Sequence, residues 1–258
     1  SLIFAALGDA GGVMNFTLLG ALPQRIFGVM TNEVLLTIPL FVFMGVMLER
    51  SRIAEELLET MGRLFGSLTG GLAISATIVG SLLAAAKGVA GATTVTMGLI
   101  TLPAMMRHGY DPRLAAGTVA ATATLAQIMP PATVLVLLAD QINIAFQSAQ
   151  LAAGKFSPDS VSIGDLFAGA IVPALLLVSL YLLFQVAVAI FRPAACPAVP
   201  AEAPAHGSAA LRVLEALIAP ILLIVIVLGS ILAGLATPTE AAAVGAFGAI
   251  LLTAYKAE

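Results

Sequence analysis

Charge is what this sequence has least of. Of its 258 residues, 10% are Asp, Glu, Lys or Arg, where a soluble domain carries about a quarter. There is one cysteine, Cys196, which excludes an internal disulfide framework. With only His108 and His206 beside it, a Cys/His metal cluster is not expected either. Neither an HExxH nor a GxSxG motif occurs, and both histidines fall in expected loops. An intramembrane hydrolase would need such a metal motif or a nucleophile–base pair at depth. No enzyme activity, no cofactor and no nucleic-acid partner are expected. No signal peptide is visible in the sequence, which starts at Ser1 and ends in a charged segment. A fragment of a longer protein is expected.

What is present is apolar. Hydrophobic residues make up 60% of the chain, and the mean hydropathy is +1.08. A soluble fold of this length could not cover so much apolar surface, because its own exterior needs polar groups. A lipid bilayer tolerates it. The 24 glycines and 14 prolines are dispersed, and both residues are commoner in membrane helices than in soluble ones.

Uncharged runs measure the crossings, since a helix needs about 20 apolar residues to span the hydrocarbon. Residues 1–24 predict a partial helix, broken by Asp9, Gly11 and Gly12. Further runs cover 34–48, 66–86, 88–106, 114–139, 166–191, 216–239 and 241–255. Between the first long runs, Ile53, Leu57, Leu58, Met61, Leu64 and Phe65 recur at helical spacing opposite Glu55, Glu56, Glu59 and Arg63. That pattern predicts an amphipathic helix over 52–66, lying in the membrane interface or packing on the cytoplasmic side. Residues 192–209 are rich in Pro and Ala and predict a linker outside the bilayer. The expected units are thus 1–191, the linker 192–209, and 210–258 as the opening of a second transmembrane half.

Arginine placement gives the orientation. Arg50, Arg52, Arg63, Arg107, Arg113, Arg192 and Arg212 gather on one expected face, and the 141–165 loop carries only Lys155. The positive-inside rule puts 49–69, 107–113 and 192–212 in the cytoplasm.

Two segments are interrupted at membrane depth. The connection AAAKGVAGATTVTMG holds Lys87, Gly88, Gly91, Ala92, Thr93 and Thr94 with no charged loop around it. The second, ATATLAQIMPPATVLV, breaks at Pro130 and Pro131 among Thr122, Thr124, Gln127 and Thr133. Non-helical backbone survives at this depth only where protein or a watery cavity covers it. Paired breaks point to a transporter site, with helix N-termini toward an anion and freed carbonyls around Na⁺. Small-residue packing with a proline kink would give the same letters. Lys87 has two readings. Its ammonium reaches headgroups, solvent or Asp140 by its long stem, or it meets a substrate carboxylate in a cavity.

Four stretches carry a family resemblance: IPLFVFMGVMLERSRIAEELLETM, GATTVTMGLITLPAMMRHGYDPRLAAGTVAA, LAQIMPPATVLVLLAD and GLATPTEAAAVGAFGAI. They resemble the large permease subunit of the TRAP (tripartite ATP-independent periplasmic) transporters. The resemblance implies an all-α polytopic membrane protein of the bacterial inner membrane. It implies one half of an elevator-type transporter, with a re-entrant helical hairpin (66–106) and a discontinuous helix (114–150). It also implies cation-coupled import of organic acids, with Na⁺ as coupling ion, a periplasmic substrate-binding protein and a small membrane subunit. The family's hairpin tip matches Gly88 to Thr94, and its helix break matches Gln127 to Thr133. Where the family often has serines at the tip and PPS at the break, this chain has GVAGATT and PPAT. Other classes compatible with the composition are a carboxylate carrier working without a binding protein and a non-transporting scaffold.

The orientation can be tested by single-cysteine labelling from outside in a Cys196-free background. Ser157→Cys should label, and His108→Cys and His206→Cys should not; the reverse pattern overturns the assignment.

Overall fold

The computed structural model describes residues 20–51, 53–88, 90–199 and 209–257. Among them the regular elements are all helices. In chain order they are α1 (Leu22–Met30), α2 (Glu33–Arg50), α3 (Ile53–Phe65), α4 (Gly71–Lys87) and α5 (Ala90–Arg107). Then follow α6 (Pro112–Thr124), α7 (Thr133–Ala152), α8 (Ile163–Phe191), α9 (Ala209–Leu232) and α10 (Pro238–Ala257). The partial helix expected over 1–24 falls, but for its last residues, outside the described part.

Helix ends follow capping chemistry more closely than charge. The run 34–48 extends to Glu33–Arg50, because the Asn32 side chain accepts from Val34 N at 3.0 Å and Glu33 suits the positive helix N-terminus. α8 begins at Ile163, three residues before the uncharged run. There Ser162 and Asp165 form a reciprocal capping box, with Asp165 N donating to Ser162 Oγ at 3.1 Å and Ser162 N to Asp165 Oδ2 at 2.9 Å. The boundary expected at 239–241 moves to 233–237. Gly234, at φ +67°, ends α9, and Thr237 with Glu240 starts α10: Thr237 N donates to Glu240 Oε2 at 2.8 Å.

α4 is the centre of the bundle. It touches α2, α3, α5, α6, α8 and α9. Ala73, Ser75, Ala76, Thr77, Val79 and Ala84 are each at most 1% exposed, and such small side chains let six neighbours approach one helix. α2 and α10 run parallel, tied by Thr239 Oγ1 donating to Glu33 O (2.9 Å) and Thr253 Oγ1 to Met47 O (3.3 Å). The amphipathic helix expected over 52–66 forms as α3. On its apolar side Leu57, Leu58 and Met61 are buried, and the helix packs against α4 and α9.

α8 has the opposite character. It is 29 residues long, about 43 Å at helical rise, and of its side chains only Ile163, Phe167, Ala174 and Gln185 are buried. An element apolar on all sides and bare on most of them fits hydrocarbon. Among the described residues, α7 and α8 are long and apolar enough to cross a bilayer. A third crossing results if α1 and α2, bent by 55°, form one span.

Residues 193–199 are part of the fold and more than a linker. Three backbone bonds strap them across the open end of the α4–α5 pair: Asp111 N to Ala195 O (2.9 Å), Gly70 N to Cys196 O (2.9 Å) and Val199 N to Gly66 O (2.7 Å). The remainder of the expected linker, 200–208, lies outside the described residues. Beside the strap, the GYDPR motif makes a joint. Gly109 turns at φ +75°, the Tyr110 hydroxyl accepts from Leu72 N (3.2 Å), Asp111 caps α6 and Pro112 opens it. Burial pushes the Tyr110 phenol and the Cys196 thiol above their ordinary pKa values.

A raised pKa and 1% exposure leave little thiolate at Cys196, and thiolate is the reactive species. A soluble maleimide should label Cys196 at least roughly ten-fold more slowly in the folded than in the detergent-unfolded protein. Val199→Pro, which deletes one strap donor, should raise the rate; equal rates in all three samples would show that the strap does not hold.

Candidate functional site

α4 ends and α5 begins within two residues. Gly88 takes a left-handed conformation, φ +62°, and its N–H bonds Ala84 O at 3.1 Å. That conformation is costly for any residue with a Cβ, and it reverses the chain so tightly that α5 is helical from Ala90. The tip is therefore shorter than the Gly88–Thr94 loop expected from the sequence. Gly91, Ala92, Thr93 and Thr94 belong to the first turns of α5, where their carbonyls serve the helix.

The other segment breaks where proline demands it. α6 runs to Thr124, tightens into a 3₁₀ turn over Leu125–Gln127, and α7 resumes at Thr133. Pro130 and Pro131, joined by a cis peptide bond, carry no N–H, so the carbonyls of Ala126 and Gln127 lack their helical donors. Ala132 offers no side chain to cap α7, which leaves first-turn N–H groups available.

Tip and break meet. Thr133 Oγ1 donates to Gly88 O at 2.9 Å across 45 residues of sequence. A Cβ on Gly88 would stand 3.0 Å from Pro131 O and 3.2 Å from Thr133 N. The hairpin thus stops where α7 begins, and α7 continues for 20 more residues, about 30 Å. Both open ends of the hairpin sit at the strap, on the opposite end of the bundle.

The other expected site residues separate into groups. The Gln127 side-chain oxygen Oε1 is buried at the break and has no hydrogen-bond partner. Pro130 and Pro131 are buried. Thr122 faces α4 rather than the tip, 3.3 Å from Thr77 Oγ1. Thr124 is exposed and returns its hydroxyl to Ala121 O. Thr93 is buried on the inward stripe of α5 with Met97, Thr101 and Met105. Gly91, Ala92 and Thr94 are exposed on the outer side, and Thr94 donates to Ala90 O at 2.9 Å. Thr96, on the same helix, donates to Ala92 O and to Glu49 at the end of α2. Lys87 closes α4 beside Gly88, and its side chain lies outside the described part. Asp140, a partner considered for it, accepts from Asn32 Nδ2 at 3.5 Å and Gln141 Nε2 at 3.3 Å.

The contact brings together the backbone carbonyls of Gly88 and Pro131, and the break adds carbonyls freed by proline and the unpartnered Gln127 amide oxygen. Uncharged oxygens in a water-poor setting suit a hard monovalent cation, and the adjoining uncapped α7 N-terminus suits an anion. Two residues escaped the sequence reading, Thr77 and Gln185, whose Nε2 donates to Thr77 Oγ1 at 2.5 Å. An amide inside the otherwise apolar 166–191 run was the available signal.

Comparison with known proteins gives consistent matches. The family model described as "Tripartite ATP-independent periplasmic transporter, DctM component" matches residues 1–257. The chain is 31% identical over 229 residues to the C4-dicarboxylate TRAP transporter large permease protein DctM of Vibrio cholerae, covering 88% of this chain and 46% of that protein. It is 33% identical over 226 residues to the DctM protein of Pseudomonas aeruginosa, covering 88% and 48%. To the ectoine TRAP transporter large permease protein TeaC of Halomonas elongata it is 27% identical over 218 residues, covering 84% and 46%. The chain spans about half the length of these relatives.

The tip–break contact makes its own prediction. Thr133→Val removes the donor to Gly88 O and should destabilise the contact by about 1–3 kcal/mol, the usual penalty for an unpaired buried carbonyl. Thr133→Ser should behave as the parent. Amide hydrogen exchange at the tip is the measurement, and an unchanged rate in Thr133→Val would deny the bond a role.

Proposed function

Because the chain belongs to the DctM family of TRAP transporter large permeases, transport proteins and not enzymes, we propose that it forms part of a sodium-coupled permease importing organic acids. The observation that carries this reading is the bond from Thr133 to the Gly88 carbonyl, which joins the tip to the break that also holds the unpartnered Gln127 oxygen. A tip docked on a break is a closed contact between two segments whose backbone groups are otherwise short of partners. Na⁺ entering there gains the Gln127 oxygen and proline-freed carbonyls, and it holds tip and break together. Its charge, with the α7 N-terminus, then makes the neighbourhood favourable for a carboxylate. Ion and acid each raise the other's affinity, which is the thermodynamic content of coupling.

On this reading the hairpin is re-entrant. Its arms, 17 and 18 residues long, enter from the strapped end, which the arginine asymmetry makes cytoplasmic, and turn back at the break. A hairpin, broken helix and α8 that travel together past the α2–α10 pair constitute an elevator movement. The relatives' names, C4-dicarboxylate and ectoine large permeases, support organic-acid cargo, and the family's tripartite periplasmic description fits delivery by a periplasmic binding protein with a small membrane subunit completing the assembly in the bacterial inner membrane. Lys87, next to Gly88 in sequence, is the residue whose ammonium we assign to the acid on this reading.

Sodium binding can be measured without substrate. In the full-length protein, replacing KCl by NaCl at equal ionic strength should raise the thermal midpoint. Gly88→Ala, which forces a Cβ against Pro131 O, should weaken that sodium effect by roughly ten-fold or more in half-saturating concentration, given a cost of about 1–2 kcal/mol for the left-handed conformation alone. Uptake of labelled succinate by the assembled transporter should require an inward sodium gradient. Uptake indifferent to sodium, with no sodium-dependent midpoint, would overturn the proposal.

A further inference from the structure

α8 poses a problem of register. Between Asp165 and Arg192 its polar residues are Ser179, Tyr181 and Gln185, and Ser179 returns its hydroxyl to Leu175 O within the helix. Apolar side chains surround it and most face outward. Lipid tails are as apolar as leucine, so hydrophobic contact does not tell such a helix where to stop sliding or turning. Something directional must set its height and rotation.

Gln185 is the group with that geometry. It is 4% exposed on a helix that is mostly bare, and its Nε2 donates to Thr77 Oγ1 at 2.5 Å on α4. Thr77 Oγ1 lies 3.3 Å from Thr122 Oγ1 on α6. Thr77 and Thr122 are 0% and 1% exposed, so water does not compete for these bonds. The α4–α6 approach at this level is close: a Cβ on Gly80 would stand 2.2 Å from Thr122 Cγ2. Three helices separated in sequence are thus joined by one amide and two hydroxyls. Thr122 stands three residues before the 3₁₀ turn at Leu125, and Thr77 lies on the arm that ends at Gly88.

We propose that Gln185 is a positioning residue for transport, locking α8 to the hairpin arm and to the helix before the break so that tip and break stay in register and move with α8 as one body. This rests on the proposed function and adds to it how the site is held. A buried amide–hydroxyl bond suits the task because breaking it strands both groups where no water can replace the partner. The remaining Gln185 oxygen, Oε1, has no partner, so the amide is held through its nitrogen.

The test uses the full-length protein and reads amide hydrogen exchange with and without NaCl. Gln185→Met keeps length and removes the bond; Thr77→Val keeps shape and removes the hydroxyl; Thr77→Ser restores it. Exchange over residues 84–91 and 125–133 should rise roughly five-fold in Gln185→Met and in Thr77→Val, for a lost polar pair of ordinary strength in a membrane protein. Exchange in α2 and α10 should not change, the double variant should be no worse than Thr77→Val, and Thr77→Ser should match the parent. In Gln185→Met the half-saturating sodium concentration should rise by a similar factor. Tip and break exchange within two-fold of the parent in both variants, or effects that multiply in the double variant, would overturn the lock. Should Gln185→Met fail to insert, the Thr77→Val and Thr77→Ser pair decides the same question. If the parent protein shows no sodium response, the proposed coupling fails while the exchange result still decides the lock.

Discussion

A peptide group inside hydrocarbon has no water to turn to, and the arrangement of this bundle follows from where its interrupted backbone finds partners. Two prolines open the α6–α7 helix, and a left-handed glycine reverses the α4–α5 hairpin. Each interruption alone would leave carbonyls and N–H groups stranded at a cost of several kcal/mol apiece. Set against each other, they share a hydrogen bond from Thr133 to Gly88 and exclude lipid from the rest. At the break the Gln127 side-chain oxygen stays buried without a partner.

Around that contact the bundle divides its labour by side-chain size. α4 presents small residues so that six helices can approach it, and Gly245 and Gly248 of α10 do the same toward Met44, Val227 and Leu223. Close approach lets dispersion do what hydrophobic burial cannot do in lipid. Polar pairs then choose among the many sliding positions that close packing alone permits: Thr37 with Thr239, Thr77 with Gln185, Thr253 with Met47 O. At one end of the bundle the 193–199 strap closes the hairpin base. At the other, Val34, Asp140, Asn143, Ser162 and Pro238 gather around an open cleft of about 410 Å³.

The most recognisable motifs are joints of the scaffold. Gly109, Tyr110, Asp111 and Pro112 turn the chain, pin α4 and cap α6. Thr237, Pro238 and Glu240 open α10, and Thr239 ties it to α2. Such positions accept few substitutes because a positive φ, a cap and a fixed proline are each satisfied by one or two residue types. The tip and break are chemically looser. The contact there is made by the Gly88 carbonyl and the Thr133 hydroxyl, which GVAGATT and PPAT supply.

The sequence by itself determined that the chain is helical, apolar and interrupted twice, because composition and proline act locally and need no knowledge of neighbours. Many helix ends fall within a few residues of the uncharged runs; caps and a left-handed glycine move the ends at Ile163 and 233–237, while the start of α9 at Ala209, well before its run at 216, and the separate helix α1 are not marked by charge. Only the tertiary structure decided which oxygens face which. Thr122 and Thr133 looked equivalent as hydroxyls around one break, yet one faces the hairpin arm and the other the tip, because the 3₁₀ turn and two prolines between them rotate the chain. Gly91 to Thr94 are expected at the tip from the sequence, yet the left-handed Gly88 reverses the chain and leaves them helical. Gln185 stands in an uncharged run with Ser179 and Tyr181, and only its distance to Thr77 gives it a partner. Contacts across 45 or 108 residues arise from packing, and packing is decided by every helix at once.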